Sequence, residues 1–219
     1  MRLKLIVFAS GAKAAGGSGF ENLVEASRKG ILDAEIVAVV SNSEHGSVRK
    51  RAERLGIPFA YFGGPYDAEH YASVLQKTAI GKNELWVALS GWIKHVKGLD
   101  PARTFNIHPT LLSQLEGRFG GPGMYGGREH ASVKEALDKG EISETGISMH
   151  FVTDDYDRGP VFFEHRVPLS KGMSAEGIAK AVQKAEHEWQ PKITNMVLHG
   201  KIRWDGKDPK TLVVPKDIS

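Results

Sequence analysis

The sequence contains no cysteine among its 219 residues. Disulfide bonds, thiolate metal ligands and a cysteine nucleophile are therefore excluded. The sequence also lacks any apolar run that approaches the roughly 18 residues needed for a membrane span, and residues 1–8 are too few and too mixed for a signal peptide. A cytoplasmic location without membrane contact is the simplest interpretation.

The sequence has no large excess of charge of either sign, and its formal net charge is +3. Its basic residues are scattered and form no stripe with interleaved aromatic residues, which argues against nucleic-acid binding. The small positive balance is compatible with a slight preference for anionic ligands or with an ordinary solvated surface. The hydrophobic fraction of 41% and the charged fraction of 25% are typical of a globular protein with a proper core.

Short apolar runs alternate with helical patterns in the first half of the chain. The runs cover residues 5–8, 36–40, 59–61 and 85–89, and the helical patterns cover about 20–29, 47–55 and 68–77. Strands that alternate with helices indicate a parallel sheet covered on both faces. The sequence therefore predicts an α/β fold, a Rossmann-like, mostly parallel twisted sheet with helices on both faces.

The second half of the chain has a different pattern. Strand-like runs occur at residues 104–107, 148–152 and 160–163, and the stretch 117–127 is too rich in glycine for a regular element. A long helix is predicted from an N-cap at Ser174 to about His199. We expect one domain over residues 1–203 and a short polar tail over 204–219.

A glycine-rich segment, residues 10–19, connects the first strand to the first helix. Glycine lets backbone N–H groups approach a ligand, and a helix start favours negative charge, so this segment suits a phosphate. It is a poor P-loop, because Gly17 stands where the nucleotide-binding lysine is required, and its glycines lack the dinucleotide-binding spacing. A monophosphate site is preferred to the alternative, a flexible turn.

Asn106 and His108 end a predicted strand, just before Pro109. Side chains alternate along a strand, so these two share a face while Ile107 turns to the core. The amide is a hydrogen-bond donor, and the imidazole titrates near neutral pH, at the sheet edge where α/β proteins bind ligands. A purely structural histidine is the competing interpretation.

A third candidate is the acidic loop 153–160, which follows another predicted strand and contains Asp154, Asp155 and Asp157. Its spacing does not provide the six to eight oxygens that calcium usually takes. Taken alone, this loop is best described as a solvated acidic turn. On the long helix, Gln183, Glu186 and Gln190 form a polar row that is either a solvent face or a ligand contact.

Taken together, these segments resemble the folate-dependent formyltransferase family, in particular its members that act on glycinamide ribonucleotide. The specific motifs are N-I-H-P at 106–109 and H-F-V-T-D-x-x-D-x-G-P at 150–160. Further matching segments are Ser10-Gly11 with the glycine loop, Asn22-Leu23, Ser41-Asn42, residues 90–93, 110–112 and 146–149, and Glu186-His187. The similarity extends from residue 3 to about residue 203.

The resemblance implies the formyltransferase fold and transfer of a formyl group from 10-formyltetrahydrofolate to the amine of glycinamide ribonucleotide, in de novo purine biosynthesis. It implies a monomer or homodimer that requires no metal, with phosphate and nucleotide binding in the N-terminal half and folate binding and catalysis in the C-terminal half. The implied residues are Asn106, His108 and Asp157 for catalysis, Gly16, Gly17, Ser18 and Gly19 for the substrate phosphate, Glu186 for its ribose, and Trp92, Ile93, Lys94, His95, Val96, Val152, Thr153 and Asp154 for the folate.

A mechanistic hypothesis follows from this implied group. Asn106 and a protonated His108 would donate hydrogen bonds to the tetrahedral oxyanion. Asp157 would favour the imidazolium form of His108 and hold a water that relays a proton from the amine to the departing folate nitrogen.

The chain departs from the family pattern at several positions. The glycine loop is longer than the family's S-G-x-G-S-N, so the individual phosphate contacts within it stay open. Lys94 stands where an arginine is common, which keeps the charge but loses the planar fork. Ser113 replaces a common proline, and the stretch 119–126 differs from the shorter loop of many members.

Three other functions were weighed against this one. Methionyl-tRNA formyltransferase carries a basic C-terminal domain, whereas only a short tail follows the long helix here. Formyltetrahydrofolate deformylase normally has an added N-terminal domain. Deformylation, or formyl transfer to another amine, is the alternative function. A nucleotide-binding module without catalysis would be missing a catalytic side chain, yet all three positions are filled.

Overall fold

The computed structural model describes residues 2–11, 16–78, 85–125 and 127–218. Within these ranges the chain forms a seven-stranded sheet of order β3-β2-β1-β4-β5-β6-β7. The strands are β1 (Leu3–Phe8), β2 (Ala34–Ser41), β3 (Phe59–Tyr61), β4 (Leu85–Ser90), β5 (Thr104–His108), β6 (Glu144–Phe151) and β7 (Val161–Pro168).

The first five strands pair in parallel, whereas β6 is antiparallel to both β5 and β7. The predicted α/β, mostly parallel sheet is therefore confirmed. The strands β6 and β7 extend beyond their predicted bounds. Their extra residues are largely polar, so no apolar run in the sequence predicts them. They belong to the sheet because β6 and β7 pair through ladder hydrogen bonds.

Five helices pack on the sheet in the described residues: α1 (Ser18–Arg28), α2 (Ser47–Leu55), α3 (Ala68–Thr78), α4 (Arg128–Asp138) and α5 (Ala175–Leu198). Three short 3₁₀ turns cover Gln114–Gly117, Pro209–Thr211 and Lys216–Ile218. Ser174 caps α5 as predicted, since its hydroxyl accepts a hydrogen bond from the Gly177 N–H at 3.1 Å. Helix α4 was not among the expected elements, although its buried Glu129, Val133, Ala136 and Leu137 follow helical spacing.

Alternation along β1 sends neighbouring side chains to opposite cores. Leu5 and Val7 are buried with residues of α1, α2, α4 and α5 on one face of the sheet. Ile6 and Phe8 are buried on the other face, with Tyr71 of α3 among their neighbours. Helices therefore cover both faces, and the continuous apolar run of β1 is explained by burial on both sides.

Helices α1 and α5 are joined by a hydrogen bond at a proline. Pro191 lies inside α5 and has no N–H, so it cannot bond the carbonyl of His187 one turn earlier. The side-chain amide of Asn22 in α1 donates to that carbonyl at 2.8 Å. This bond fixes the helix that follows the glycine loop against the middle of α5.

The segment after residue 203, expected as a polar tail, contributes Trp204 to the core. Its indole packs on Phe151, with ring centroids 5.8 Å apart, and its N–H donates to the Asp208 carbonyl at 2.8 Å. The division into a domain at 1–203 and a tail stays a prediction. In the described parts of the chain, no helix combines the length and apolarity needed to cross a membrane.

Candidate active site

A cavity of about 670 Å³ lies at the carboxyl ends of β1, β4 and β5. Its volume is that of an ordinary small-molecule site. Its wall includes the glycine loop, the segments 89–96 and 106–109, the loop 152–157 apart from Asp154, and Glu129, His150, Glu186 and Gln190. The cavity thus brings together the segments singled out in the sequence.

Asn106 is placed by β5 and faces His150 of β6, its partner in the antiparallel register. The Asn106 side-chain nitrogen lies 3.1 Å from His150 Nε2, and His150 Nδ1 lies 2.8 Å from the Phe151 carbonyl oxygen. The carbonyl can only accept, so Nδ1 carries the proton and Nε2 accepts from the Asn106 amide. One N–H of Asn106 is thereby anchored, and the other is available to a ligand.

His108 ends β5 and is almost fully buried. Its Nε2 lies 2.8 Å from the Phe119 carbonyl oxygen, so that nitrogen carries a proton and donates it. Its Nδ1 lies 3.8 Å from Asp157 Oδ2. Burial lowers the pKa of His108, and the opposing charge of Asp157 only partly restores it.

The mechanistic hypothesis takes His108 as protonated. The lowered pKa of His108 in the site without substrate does not agree with this assumption. With its pKa below the ordinary value of 6.5, His108 is neutral near pH 7. The cost of charging a buried imidazole outweighs the attraction of one carboxylate 3.8 Å away.

Asp157 reaches this group from a loop that folds back over the sheet. Because β6 runs antiparallel to β5, its carboxyl end lies beside the start of β5, yet Asp157 contacts His108 at the opposite end. Its backbone has a φ of 52°, a left-handed conformation that non-glycine residues rarely adopt. The Gly121 N–H donates to Oδ2 at 2.9 Å and holds the carboxylate in place.

The carboxylate of Asp157 also lies 3.6 Å from His150 Nε2. Burial raises the pKa of Asp157, but a hydrogen bond and positive charge from His150 and His108 in their protonated forms, with the Gly121 N–H, outweigh burial and hold the pKa below its usual value. Asp157 is therefore an ionised group in the cavity wall at neutral pH. The predicted trio of Asn106, His108 and Asp157 is brought together, with His150 as a fourth member.

The described parts of the glycine loop, residues 10–11 and 16–19, line the same cavity. Residues 12–15, which belong to the predicted phosphate segment, lie outside the described residues. Gly16 has a φ of +104°, and a Cβ there would lie 2.4 Å from the Ser10 carbonyl oxygen, so only glycine fits. Ser47 and Arg51 of α2 both donate to the Gly16 carbonyl, at 3.1 and 3.2 Å.

The segment 92–96 is held against the loop 152–157 by a short chain of hydrogen bonds. Trp92 Nε1 donates to the Tyr71 hydroxyl at 2.9 Å, and that hydroxyl donates to the His95 carbonyl at 3.0 Å. The His95 ring donates from Nε2 to the Asp154 carbonyl at 2.7 Å. The predicted folate-binding residues Trp92 to Val96, Val152 and Thr153 all line the cavity.

Two of the predicted folate-binding residues have additional contacts. The Asp154 side chain turns away from the cavity and accepts from the Gly98 N–H at 3.0 Å. The ammonium of Lys94 lies 5.1 Å from the centre of the Tyr66 ring, a cation–π contact at the cavity wall. Lys94 therefore keeps a defined position without the planar fork of an arginine.

Two carboxylates occupy the cavity wall close to the glycine loop. Glu186 of α5, the predicted ribose contact, has a pKa raised to about 7 by burial and by the negative charge of Glu129. Glu129 is buried at the start of α4, where both of its carboxylate oxygens accept from the Gly127 N–H. Near neutral pH, Glu186 can therefore exist in either protonation state.

The sequence gives no separate role to His150 or Glu129 in the site, and it leaves open whether Gln190 belongs to a solvent face or to a ligand contact. The alternation of β6 places His150 on one face with Ser148, but only the pairing with β5 shows that this face carries Asn106. Glu129 follows a glycine-rich stretch, and a buried carboxylate at the start of α4 carries no sequence signal of a role in the site. In the part of the chain that the structure describes, no group of three or more potential metal ligands is found.

Comparisons with known proteins agree with this geometry. The family model described as formyl transferase matches residues 3–194. The chain is 29% identical over 214 residues to the chloroplastic phosphoribosylglycinamide formyltransferase of Arabidopsis thaliana, covering 93% of this chain and 68% of that protein. It is 28% identical over 202 residues to phosphoribosylglycinamide formyltransferase of Bacillus subtilis, covering 89% of this chain and 94% of that protein.

Solved structures show the same fold. The phosphoribosylglycinamide formyltransferase of Coxiella burnetii, solved in complex with CHES, has a TM-score of 0.73 and 26% sequence identity. The match covers 98% of this chain and 100% of the other. The similarity of fold therefore extends over nearly the whole chain.

Proposed function

This chain belongs to the formyl transferase family, and we propose that it transfers the formyl group of 10-formyltetrahydrofolate to the amine of glycinamide ribonucleotide, a step of de novo purine biosynthesis. The resemblance stated from the sequence motifs is confirmed by the family match. The names of the relatives in Arabidopsis thaliana and Bacillus subtilis support the choice of acceptor.

One observation supports this function most strongly: Asn106, His108 and Asp157 meet in a cavity that also contains the glycine loop. The His108 and Asp157 side chains are 3.8 Å apart, and Asn106 is held beside them by His150. An amide donor, a neutral imidazole and an ionised carboxylate are the groups that acyl transfer to an amine requires. The adjacent loop provides a place for the phosphate of the acceptor.

In the proposed reaction the amine nitrogen attacks the formyl carbon, a new C–N bond forms, and the carbonyl electrons move to oxygen. The free N–H of Asn106 donates to this oxyanion. His108 accepts the proton that the attacking nitrogen releases, on Nδ1, with solvent held by Asp157 as the relay. The imidazolium so formed lies beside the Asp157 carboxylate, which stabilises it.

Collapse of the intermediate breaks the bond between the formyl carbon and the folate nitrogen. The departing nitrogen takes the electron pair of that bond and receives the proton stored on His108. The neutral resting state of His108 fits this sequence, because the group must first accept a proton before it can return one. The folate supplies an activated formyl group, and the chain supplies position and proton transfer.

The two substrates are assigned to opposite parts of the cavity. Residues 16–19 and Glu186 bind the ribonucleotide, with the phosphate at the start of α1. Trp92 to Val96 and Val152 to Thr153 bind the folate along their backbone and apolar side chains. In the proposed complex each substrate presents its reacting end to Asn106, His108 and Asp157.

The proposal is tested by incubating the protein with 10-formyltetrahydrofolate in the presence and absence of glycinamide ribonucleotide. Formylated ribonucleotide and free folate should appear in equal amounts only when both substrates are present. Formate release without the ribonucleotide would instead identify a deformylase. Transfer to a different amine, with none to the ribonucleotide, would contradict the acceptor while retaining the chemistry.

A further inference from the structure

The first residues of the stretch 119–126 contact both His108 and Asp157. The Phe119 carbonyl accepts a hydrogen bond from His108 Nε2 at 2.8 Å. Two residues later, the Gly121 N–H donates to Asp157 Oδ2 at 2.9 Å. His108 Nδ1 and Asp157 Oδ2 face each other at 3.8 Å. The backbone of residues 119–121 therefore holds both side chains of this contact.

Thr110 joins this backbone to the strand that carries His108. It follows the end of β5 by two residues, and its hydroxyl donates to the Phe119 carbonyl at 3.2 Å. The carbonyl oxygen thus accepts one hydrogen bond from His108 and one from Thr110, which uses both of its lone pairs. The position of the carbonyl is therefore fixed from two sides, and the imidazole does not have to hold it alone.

Thr110 is itself held by β6. The Ser148 hydroxyl lies 2.8 Å from the Thr110 carbonyl oxygen and 2.7 Å from Glu164 Oε1, so its one proton is shared between two acceptors. The same hydroxyl accepts from the Leu112 N–H at 2.8 Å. Thr110 and Ser148 are both fully buried. A hydrogen-bonded path thus leads from the interior of the sheet through Thr110 to the Phe119 carbonyl.

Thr110 lies behind the wall of the cavity, which includes His108 but not Thr110 among the described residues. Its hydroxyl can therefore act on the reaction only through the Phe119 carbonyl. That carbonyl can only accept, so holding it in place keeps the proton of the neutral imidazole on Nε2. The lone pair of Nδ1 is then left toward Asp157.

We propose that Thr110 is a positioning residue for His108: its hydroxyl holds the Phe119 carbonyl where Nε2 donates to it, and so keeps the Nδ1 lone pair available to the proton of the attacking amine. The proton-accepting role of His108 rests on the proposed function. The hydrogen bonds of Thr110 and His108 to Phe119 do not depend on it. A purely structural threonine would affect only the stability of the fold, so the two roles have different measurable consequences.

The first measurement is the single-turnover rate of formyl transfer in Thr110→Val, which has nearly the same volume but no hydroxyl. Loss of one hydrogen bond between uncharged groups should lower this rate about three- to tenfold. The dissociation constants of both substrates should change by less than about twofold, because the wall of the cavity is retained. A wild-type rate in the folded variant overturns the proposal.

Thr110→Ser is the conservative variant. It keeps the donor to the Phe119 carbonyl, so its single-turnover rate should stay within about twofold of the wild-type rate. Its melting temperature should fall, because a buried methyl group is lost. A serine variant as slow as Thr110→Val would show that the methyl group matters and the hydroxyl does not, which overturns the assignment.

Nitrogen NMR tests the position of the proton without substrates. In the wild type near neutral pH, the His108 imidazole should carry its proton on Nε2. That proton should exchange with solvent about threefold faster or more in Thr110→Val, because the carbonyl that holds it has lost its second donor. A wild-type proton on Nδ1, or unchanged exchange in the folded variant, overturns the proposal. Thr110→Ala, which also lacks the hydroxyl and adds no bulk, replaces Thr110→Val in both measurements if that variant does not fold.

Thr104→Val is the matched control. Thr104 begins the same strand, has 1% of its surface exposed and lies outside the cavity wall, but its hydroxyl has no hydrogen-bond partner among the described residues. The single-turnover rate and the exchange of the His108 proton should both keep their wild-type values. An equal loss of rate in Thr104→Val would show a general effect of β5 packing and would overturn the assignment to Thr110.

The failure of this inference can be told apart from failure of the proposed function. Formyl transfer by the wild type together with an unchanged rate in Thr110→Val contradicts only the role of Thr110. A wild-type protein that forms no formylated ribonucleotide contradicts the proposed function. The exchange of the His108 proton needs no substrate, so it still decides whether Thr110 holds the imidazole in place.

Discussion

Asn106 and His150 are partners across two antiparallel strands, and the Asn106 amide nitrogen lies 3.1 Å from His150 Nε2. The proton on His150 Nδ1 is fixed by the Phe151 carbonyl, at 2.8 Å. The imidazole therefore sets the orientation of the Asn106 amide, which would otherwise be free to rotate by half a turn. A strand pair thus defines which end of the amide faces the cavity.

Replacement of His150 by leucine should lower kcat about tenfold, because the anchoring hydrogen bond of Asn106 is lost. The KM values of both substrates should change little, since His150 acts through Asn106. His150→Gln, which retains an acceptor, should recover part of the rate. His165→Gln on β7, outside the cavity lining, is the control. A change confined to KM would contradict the positioning role.

Replacement of Asn106 by alanine removes a donor to the oxyanion and should lower kcat by about a hundred- to a thousandfold. His108→Ala should lower kcat to a similar or greater extent, because both the proton acceptor and a wall of the cavity are lost. Single-turnover rates report the chemical step directly, and circular dichroism checks the fold. Near-normal rates in either folded variant would remove that residue from the mechanism.

Asp157→Asn should change the pH dependence of kcat/KM. The carboxylate raises the pKa of His108 against the effect of burial, so the variant should have a His108 pKa lower still. The acidic limb of the kcat/KM profile, which reports deprotonation of His108, should therefore move to lower pH. The plateau value of kcat/KM should fall, because the imidazolium loses the carboxylate that stabilises it. Asp138→Asn, a distant surface change of equal charge, should leave the profile unaltered.

Glu186 should make the protein less stable as the pH rises toward neutrality. Its pKa is raised from the ordinary value of 4.5 to about 7 in the folded state, so the folded protein binds this proton more tightly than the unfolded chain does. The contribution of this group to the free energy of unfolding is greatest below pH 4.5, falls between pH 4.5 and about 7, and is constant above.

This prediction is checked by the melting temperature of Glu186→Gln minus that of the wild type. The difference should be near zero at low pH and should become positive near pH 7, since the variant has no carboxylate to ionise. Taking the difference cancels the contributions of His108, His130 and His187, whose lowered pKa values change the stability with pH in the opposite direction. A difference that is independent of pH would contradict the raised pKa.

Gly16→Ala should weaken binding of the ribonucleotide while leaving the folate affinity unchanged. The added Cβ would collide with the Ser10 carbonyl, and the positive φ of +104° adds strain, so the loop must move. We expect KM for the ribonucleotide to rise by about tenfold or more. Gly30→Ala is the control, because Gly30 also has a positive φ but nothing lies within 4 Å of its Cβ.

The apolar runs and helical periodicities determined most of the fold. The run of β1 is buried on both faces, the second helix occupies Ser47–Leu55 as its pattern indicates, and Ser174 caps α5. These features depend on local propensity and on the period of hydrophobic residues, which are readable from neighbouring positions. Helix α4 was not expected, although Val133, Ala136 and Leu137 are spaced as the buried face of a helix requires.

Segments of the sequence also indicated Asn106, His108 and the glycine loop as candidates, and the family resemblance added Asp157. Only the tertiary structure decided that His150 pairs with Asn106, that Asp157 folds back in a left-handed conformation, and that Gln190 is buried under Gly19. Strand register and the packing of α1 on α5 join residues far apart in the chain, and no local pattern encodes such contacts. The lowered pKa of His108 has the same origin, because burial is a property of the folded surroundings.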